Sequence, residues 1–157
     1  MSELTKNAKL YRVEIPGREF IECEFKNTEP KSPHWKVIGS PQTLSLLRKL
    51  KNKDSDPHLW PLPEGNSTAE MLVRELLLKI TDQWSFPLQE GAAPDSDPLQ
   101  AELCHCRAVV ASRVDQAILA GAHTIEKVRR MTSANTACGT CFPEIEKILN
   151  FRLQLKV

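Results

Sequence analysis

Four of the five cysteines in this 157-residue chain lie in two short motifs in its C-terminal third. Cys104 and Cys106 are separated by one residue in LCHCR, and Cys138 and Cys141 by two residues in ACGTC. The two pairs are separated by 31 residues. Thiolates bind zinc and iron-sulfur clusters, and both kinds of site are commonly formed by four cysteines. The pattern therefore predicts one metal or iron-sulfur site to which both pairs contribute.

The composition predicts a globular protein of the cytoplasm. The length suits one domain or two small ones, and a hydrophobic content of 41% is enough for a packed core. We expect no membrane segment and no signal peptide, because no apolar run is long enough and the start, MSELTKNAK, lacks an apolar stretch. In the cytoplasm, paired cysteines are more often metal ligands or redox groups than structural disulfides. A net charge of +1 gives no reason to expect nucleic acid as a partner.

Charge and proline divide the chain into two parts. Residues 1–98 contain 13 Lys or Arg, 15 Asp or Glu and ten of the eleven prolines, whereas residues 99–157 contain eight basic and five acidic residues. The segment 85–98, SFPLQEGAAPDSDP, has no apolar period and a composition typical of a linker. We therefore predict a small domain at residues 1–84, a linker at 85–98 and a second domain at 99–157.

The first part has the pattern of a small sheet with helices. Its three candidate strands, recognised by alternating apolar residues, lie around residues 11–15, 21–25 and 35–37. Ser40 can cap a first helix, and Ser67 with Glu70 forms a capping box for a second. The apolar stripe of that second helix continues at helical spacing to Trp84. This part is therefore expected to be α+β.

The second part is predicted to contain helices only. An apolar stripe from Val110 ends at Gly121, Thr124 can cap a second helix, and Pro143 suits the first turn of a third. Each cysteine pair would then precede a helix, whose N-terminal N–H groups and partial positive charge favour thiolates. Gly139 can adopt a positive φ, which lets the chain wrap closely around a cluster. The whole chain is thus predicted to be α+β, with a compact helical domain at its end.

Residues 102–153, from ELCHCR to ILNFRL, resemble the 2Fe-2S-binding domain of the bacterioferritin-associated ferredoxin family. The resemblance includes both cysteine pairs and their spacing, the AILAGA turn, the helix start TIEKV, and CGTC followed by a helix. Asn135 stands where relatives often have glycine, and Asn also tolerates the left-handed region. The resemblance implies a compact helical fold in which four cysteines ligate one 2Fe-2S cluster, namely Cys104, Cys106, Cys138 and Cys141.

What the resemblance implies for function is a cluster-binding protein. The family includes stand-alone ferredoxins, central domains of NifU-type assembly proteins, modules of nitrite reductases and parts of copper chaperones. We expect single-electron transfer to or from a protein redox partner. Because no catalytic triad, phosphate loop or dinucleotide fingerprint is present, we do not expect an enzyme.

Two alternatives stay open at this point. The domain order is similar to that of NifU-type proteins, so an iron-sulfur assembly or regulatory factor with an assembly partner is one of them. A NifU-type scaffold uses three cysteines, however, whereas residues 1–98 contain only Cys23. The other alternative is a zinc-stabilised interaction module, because four thiolates also suit zinc.

Other residues near the motifs have a simple structural interpretation. Cys23 lies on the apolar face of a candidate strand, which predicts a buried, inert thiol. His105 lies between two predicted ligands but is expected to be a surface residue. Arg107, Arg129 and Arg130 either dock an acidic partner or form a solvated helix face.

Overall fold

The computed structural model of this chain describes residues 8–26, 29–88 and 95–154. The chain divides into two compact units, Met1–Trp84 and Ser85–Val157. The predicted α+β class is confirmed, because the first unit combines a sheet with helices and the second is mainly helical. No helix in the described part is long and apolar enough to span a membrane.

The sheet of the first unit is antiparallel, and its described strands are β1 (Lys9–Ile15), β2 (Glu19–Lys26) and β3 (Glu29–Ile38), in that order. Cys23 of β2 is paired with Tyr11 of β1 on one side and Trp35 of β3 on the other. Side chains alternate between the two faces of a strand, so every second residue reaches the core. The buried face consists of Val13, Ile15, Ile21, Cys23 and Phe25.

The described part of the first unit also contains the α-helices α1 (Pro41–Lys53) and α2 (Thr68–Ile80), and α2 packs against both β1 and α1. The predicted capping box at the start of α2 is confirmed. The Ser67 hydroxyl accepts the backbone N–H of Glu70 at 3.2 Å, and the Glu70 carboxylate accepts the backbone N–H of Ser67 at 3.2 Å. These bonds satisfy two N–H groups that have no partner within the helix.

We expect Ser67→Ala to destabilise the first unit by about 1 kcal/mol, the usual cost of losing an N-cap acceptor. Urea unfolding followed by circular dichroism measures the change. Ser67→Thr is the control, because it retains the hydroxyl as an acceptor and should preserve most of the free energy of unfolding. Equal stabilities for Ser67→Ala and the parent would contradict the prediction.

The end of α2 differs from the sequence prediction. The helix ends at Ile80, so the prediction that its stripe continues to Trp84 is wrong. Asp82 lies in the left-handed region at φ +55°, which turns the chain out of the helix. The backbone N–H groups of Gln83 and Trp84 then both donate to the carbonyl of Leu78, at 2.7 and 3.1 Å. The turn places the Trp84 ring 5.5 Å from the Lys79 ammonium.

The described part of the second unit contains β4 (Glu102–Cys104), β5 (Val109–Val110), α3 (Ala111–Leu119), α4 (Ile125–Thr132) and α5 (Phe142–Leu153). Helix α3 packs against α4 and α5, around the fully buried side chains of Val114, Ile118, Ile145 and Ile148. Gly121 follows α3 with φ +111°, a conformation that residues with a Cβ rarely adopt. The prediction that Gly121 stops this helix is therefore confirmed.

The short ladder β4–β5 corrects the prediction that this part contains helices only. Glu102 pairs with Val110 and Cys104 with Val109, so the first cysteine pair lies in a hairpin rather than directly before a helix. Consecutive β-branched residues at 109 and 110 favour an extended backbone, and Ala108 at φ +50° forms the turn. Stabilisation of thiolates by the N-terminus of a helix is consequently expected only for the second cysteine pair.

The segment predicted as a linker, 85–98, contains a packed aromatic residue. Phe86 is buried, and its ring meets the Phe151 ring of α5 edge to face, with 6.1 Å between centroids. This end of the segment is thus part of the core of the second unit. Residues 89–94 lie outside the described residues, and the predicted domain boundaries stay a prediction.

Candidate metal centre

The first of two loops that form the site is the turn between β4 and β5. Cys104 is the last residue of β4, and its carbonyl accepts the backbone N–H of Arg107 at 3.3 Å. The left-handed Ala108 then reverses the chain into β5. Cys104 is buried under this turn, whereas Cys106 lies exposed on it.

The second loop connects α4 to α5 and has an unusual backbone. Ser133, Asn135 and Gly139 all have positive φ, at +65°, +56° and +75°. These reversals fold residues 133–141 into a compact loop that ends where Cys141 becomes the N-cap of α5. The positive φ predicted for Gly139 and tolerated by Asn135 is confirmed.

All four cysteines of the two motifs lie together. Cys104 and Cys141 are buried and hydrogen-bonded to each other, whereas Cys106 and Cys138 are exposed, with 3.1 Å between their Sγ atoms. All four line one pocket of about 320 Å³. The structure therefore joins residues that are far apart in sequence into two thiol pairs, one inside and one at the surface.

Hydrogen-bond donors are directed at the sulfur atoms. The backbone N–H of Asn135 faces both buried sulfurs, those of Cys104 and Cys141. The Thr140 hydroxyl donates to Cys138 Sγ at 3.2 Å, and the Thr140 backbone N–H faces the same sulfur. Donors of this kind stabilise a thiolate over a thiol. In iron-sulfur proteins, such hydrogen bonds to sulfur also shift the reduction potential of the cluster.

These contacts shift the thiol pKa values in opposite directions within each pair. The Asn135 N–H lowers the pKa of Cys104, and the Thr140 hydroxyl lowers that of Cys138 to about 7. Burial raises the pKa of Cys141, and the hydrogen bond with Cys138 raises that of Cys106. Each pair thus combines one thiol with a lowered pKa and one with a raised pKa.

The donor set fits a [2Fe-2S] cluster. Such a cluster contains two irons and takes four cysteine thiolates, and the site offers four thiols in two pairs with donors directed at sulfur. In the described part, no group of three or more His, Cys, Asp or Glu side chains is arranged to hold a metal ion. The paired arrangement and the sulfur chemistry are the features that match the two-iron cofactor.

Polar contacts tie the two loops together. Arg107 Nε donates to Thr136 Oγ1 at 3.1 Å, and the Thr136 hydroxyl donates to the Ser133 carbonyl at 2.7 Å. His105 is exposed and forms a hydrogen bond of 2.6 Å with Glu102, as expected of a surface residue. The role of Arg107 in holding Thr136 was not indicated by the sequence.

The fifth cysteine is not available for chemistry. Cys23 is fully buried in the sheet of the first unit, and burial raises the pKa of its thiol to about 12. A thiol this protonated is a poor nucleophile and a poor metal ligand. The prediction of a buried, inert Cys23 is confirmed.

Sequence reasoning missed Thr140, whose hydroxyl contacts Cys138. We expect Thr140→Val to remove about 1 kcal/mol of stabilisation from the bound cluster, and so to speed its loss to a chelator roughly fivefold. The decay of visible absorbance under anaerobic conditions measures the rate. Thr140→Ser retains the hydroxyl and should decay like the parent, whereas equal rates for the Val and Ser variants would contradict the role of the hydroxyl.

Comparison with known proteins agrees with this geometry. Residues 103–150 match the family model of the BFD-like [2Fe-2S] binding domain. The chain is also similar to the large subunit of nitrite reductase (NADH) of Escherichia coli (strain K12), with 36% identity over 130 residues.

That similarity covers 80% of this chain but 15% of the reductase subunit, so the chain spans a small part of the relative's length. Because the aligned stretch is longer than the unit Ser85–Val157, it extends into the first unit. No solved structure matches the chain.

Proposed function

We propose that Cys104, Cys106, Cys138 and Cys141 hold a [2Fe-2S] cluster and that the protein transfers single electrons in the cytoplasm. The observation that carries the proposal is the division of the thiols into a buried and an exposed pair. The buried pair fixes one side of the cofactor in the protein. The exposed pair places the other side where a partner protein can approach it.

The cofactor supplies the one-electron redox couple, and the surrounding residues of the chain influence its reduction potential. Four thiolates carry a charge of −4 that the N–H groups of Asn135 and Thr140 and the Thr140 hydroxyl offset. Hydrogen bonds to sulfur favour the more negative reduced state, and solvent exposure acts in the same direction. Cys141 lies at the N-terminus of α5, so the partial positive charge of that helix end lies next to its sulfur.

Electron transfer is favoured over cluster assembly by two observations. A scaffold that builds clusters needs accessible thiols, and Cys23 of the first unit is fully buried. The relative is named as a nitrite reductase that uses NADH, which is a redox enzyme rather than an assembly protein. We therefore propose a redox partner that supplies or accepts the electron, with this chain as a carrier and not itself an enzyme.

Reversible one-electron titration tests the proposed function. The anaerobically purified protein is reduced with dithionite and reoxidised with ferricyanide while the visible spectrum is recorded. We expect bleaching by one electron per cluster and full recovery over several cycles. A cluster that is lost on the first reduction, or that cannot be reduced, would contradict electron transfer and favour a structural or transferable cluster.

A further inference from the structure

Asn135 has a left-handed backbone, and its side chain contacts a side chain from the preceding helix. With its amide oxygen facing the guanidinium of Arg129, Oδ1 accepts hydrogen bonds from Nη2 at 2.8 Å and from Nε at 3.1 Å. Asn135 is buried, and Arg129 in the last turn of α4 is half-buried. A two-pronged contact of this kind fixes both the position and the plane of the amide.

The backbone of the same residue faces the proposed cofactor. The N–H of Asn135 is directed at the sulfurs of Cys104 and Cys141. This direction depends on φ at +56°, which is uncommon for residues with a Cβ. A small rotation would move the N–H away from both sulfurs.

We propose that Arg129 is a positioning residue for the cluster: its guanidinium anchors the Asn135 side chain and thereby keeps one backbone N–H on the two buried sulfurs. The neighbouring Arg130 is exposed and lies outside this contact. The role rests on the ligand set proposed above. The sequence pattern does not distinguish Arg129 from the adjacent Arg130, whereas this role belongs to Arg129 alone.

Charge is the main competing explanation, because a cation near a cluster also stabilises its reduced state. Three variants separate the explanations. Arg129→Lys retains the charge but lacks the planar fork, and Arg129→Gln loses both. Asn135→Gly removes the anchored side chain at a position where glycine adopts positive φ freely, so the N–H no longer depends on an anchor.

The test measures cluster loss to a chelator and the reduction potential in these variants, with Arg130→Gln as the matched control. We expect Arg129→Gln and Arg129→Lys to lose the cluster about tenfold faster than the parent, whereas Arg130→Gln stays close to it. At a fixed potential, the ratio of reduced to oxidised protein should fall about threefold in the Arg129 variants. This change corresponds to a reduction potential lower by about 28 mV, at 59 mV per tenfold change in the ratio.

The decisive comparison is Arg129→Gln in the Asn135→Gly background, where we expect little further change. An equal effect in both backgrounds, or parent-like behaviour of Arg129→Lys, would overturn the positioning role and assign the effect to charge. A Cys138→Ala variant distinguishes this failure from that of the ligand set. If it retains the cluster, the ligand set is wrong, and if it loses the cluster while Arg129→Gln resembles the control, only the positioning role fails.

Discussion

Cys138→Ala should abolish cluster binding, with bound iron falling at least tenfold and the visible absorbance disappearing. Cys138 lies at the surface, with its Sγ atom 3.1 Å from that of Cys106 and in contact with the Thr140 hydroxyl. No other cysteine is free to replace it, since Cys23 is fully buried in the sheet of the first unit. Iron analysis and visible spectroscopy after anaerobic purification measure the effect.

Cys23→Ala is the matched control for this change. It removes the same atoms from a thiol whose pKa is raised to about 12 by burial, so it should leave the iron content unchanged. The expected cost is a small cavity in the core of the first unit. Loss of the cluster in Cys23→Ala, or its retention in Cys138→Ala, would show that the ligand assignment is wrong.

Arg152→Met should destabilise the second unit by about 3–5 kcal/mol, because it removes the guanidinium group that pairs with a buried carboxylate. Arg152 Nε and Nη2 donate to the two carboxylate oxygens of Asp115 at 2.6 and 2.7 Å. Both side chains are almost fully buried, at 4% and 6% exposure. The pair joins α3 to α5, whose N-cap residue is Cys141, so we also expect weaker retention of the cluster.

Urea unfolding of the cluster-free protein measures this effect without a contribution from the cofactor. Arg113→Met is the control, because Arg113 lies exposed on α3 and its loss should change stability by less than about 0.5 kcal/mol. The double variant Asp115→Leu with Arg152→Met should recover most of the stability, since both buried charges are removed together. Equal stabilities for Arg113→Met and Arg152→Met would contradict a structural role for the pair.

The sequence was sufficient to predict the periodic elements. Alternating residues in β1 and β2 and the capping box at Ser67 depend on local patterns, and both are present in the structure. The helix end was missed because a single left-handed residue, Asp82, overrides an apolar spacing that continues to Trp84. The hairpin around Cys104 was missed because two strands of two or three residues are too short to form a recognisable alternation.

The composition of the site could be predicted, but its internal contacts could not. The spacing of the four cysteines was enough to indicate a thiolate site, and the structure brings all four to one pocket. Contacts such as Arg152 with Asp115, which are 37 residues apart, depend on how α3 and α5 pack. The Arg129–Asn135 contact likewise requires the left-handed loop, which no local pattern at Arg129 indicates.

Measurement of iron, acid-labile sulfide and zinc in the anaerobically purified protein tests the central claim most directly. A [2Fe-2S] cluster held by the four thiols predicts two iron and two sulfide per chain, a reddish-brown colour, and no stoichiometric zinc. A colourless protein with one zinc and no sulfide would contradict the claim and favour the zinc-stabilised interaction module.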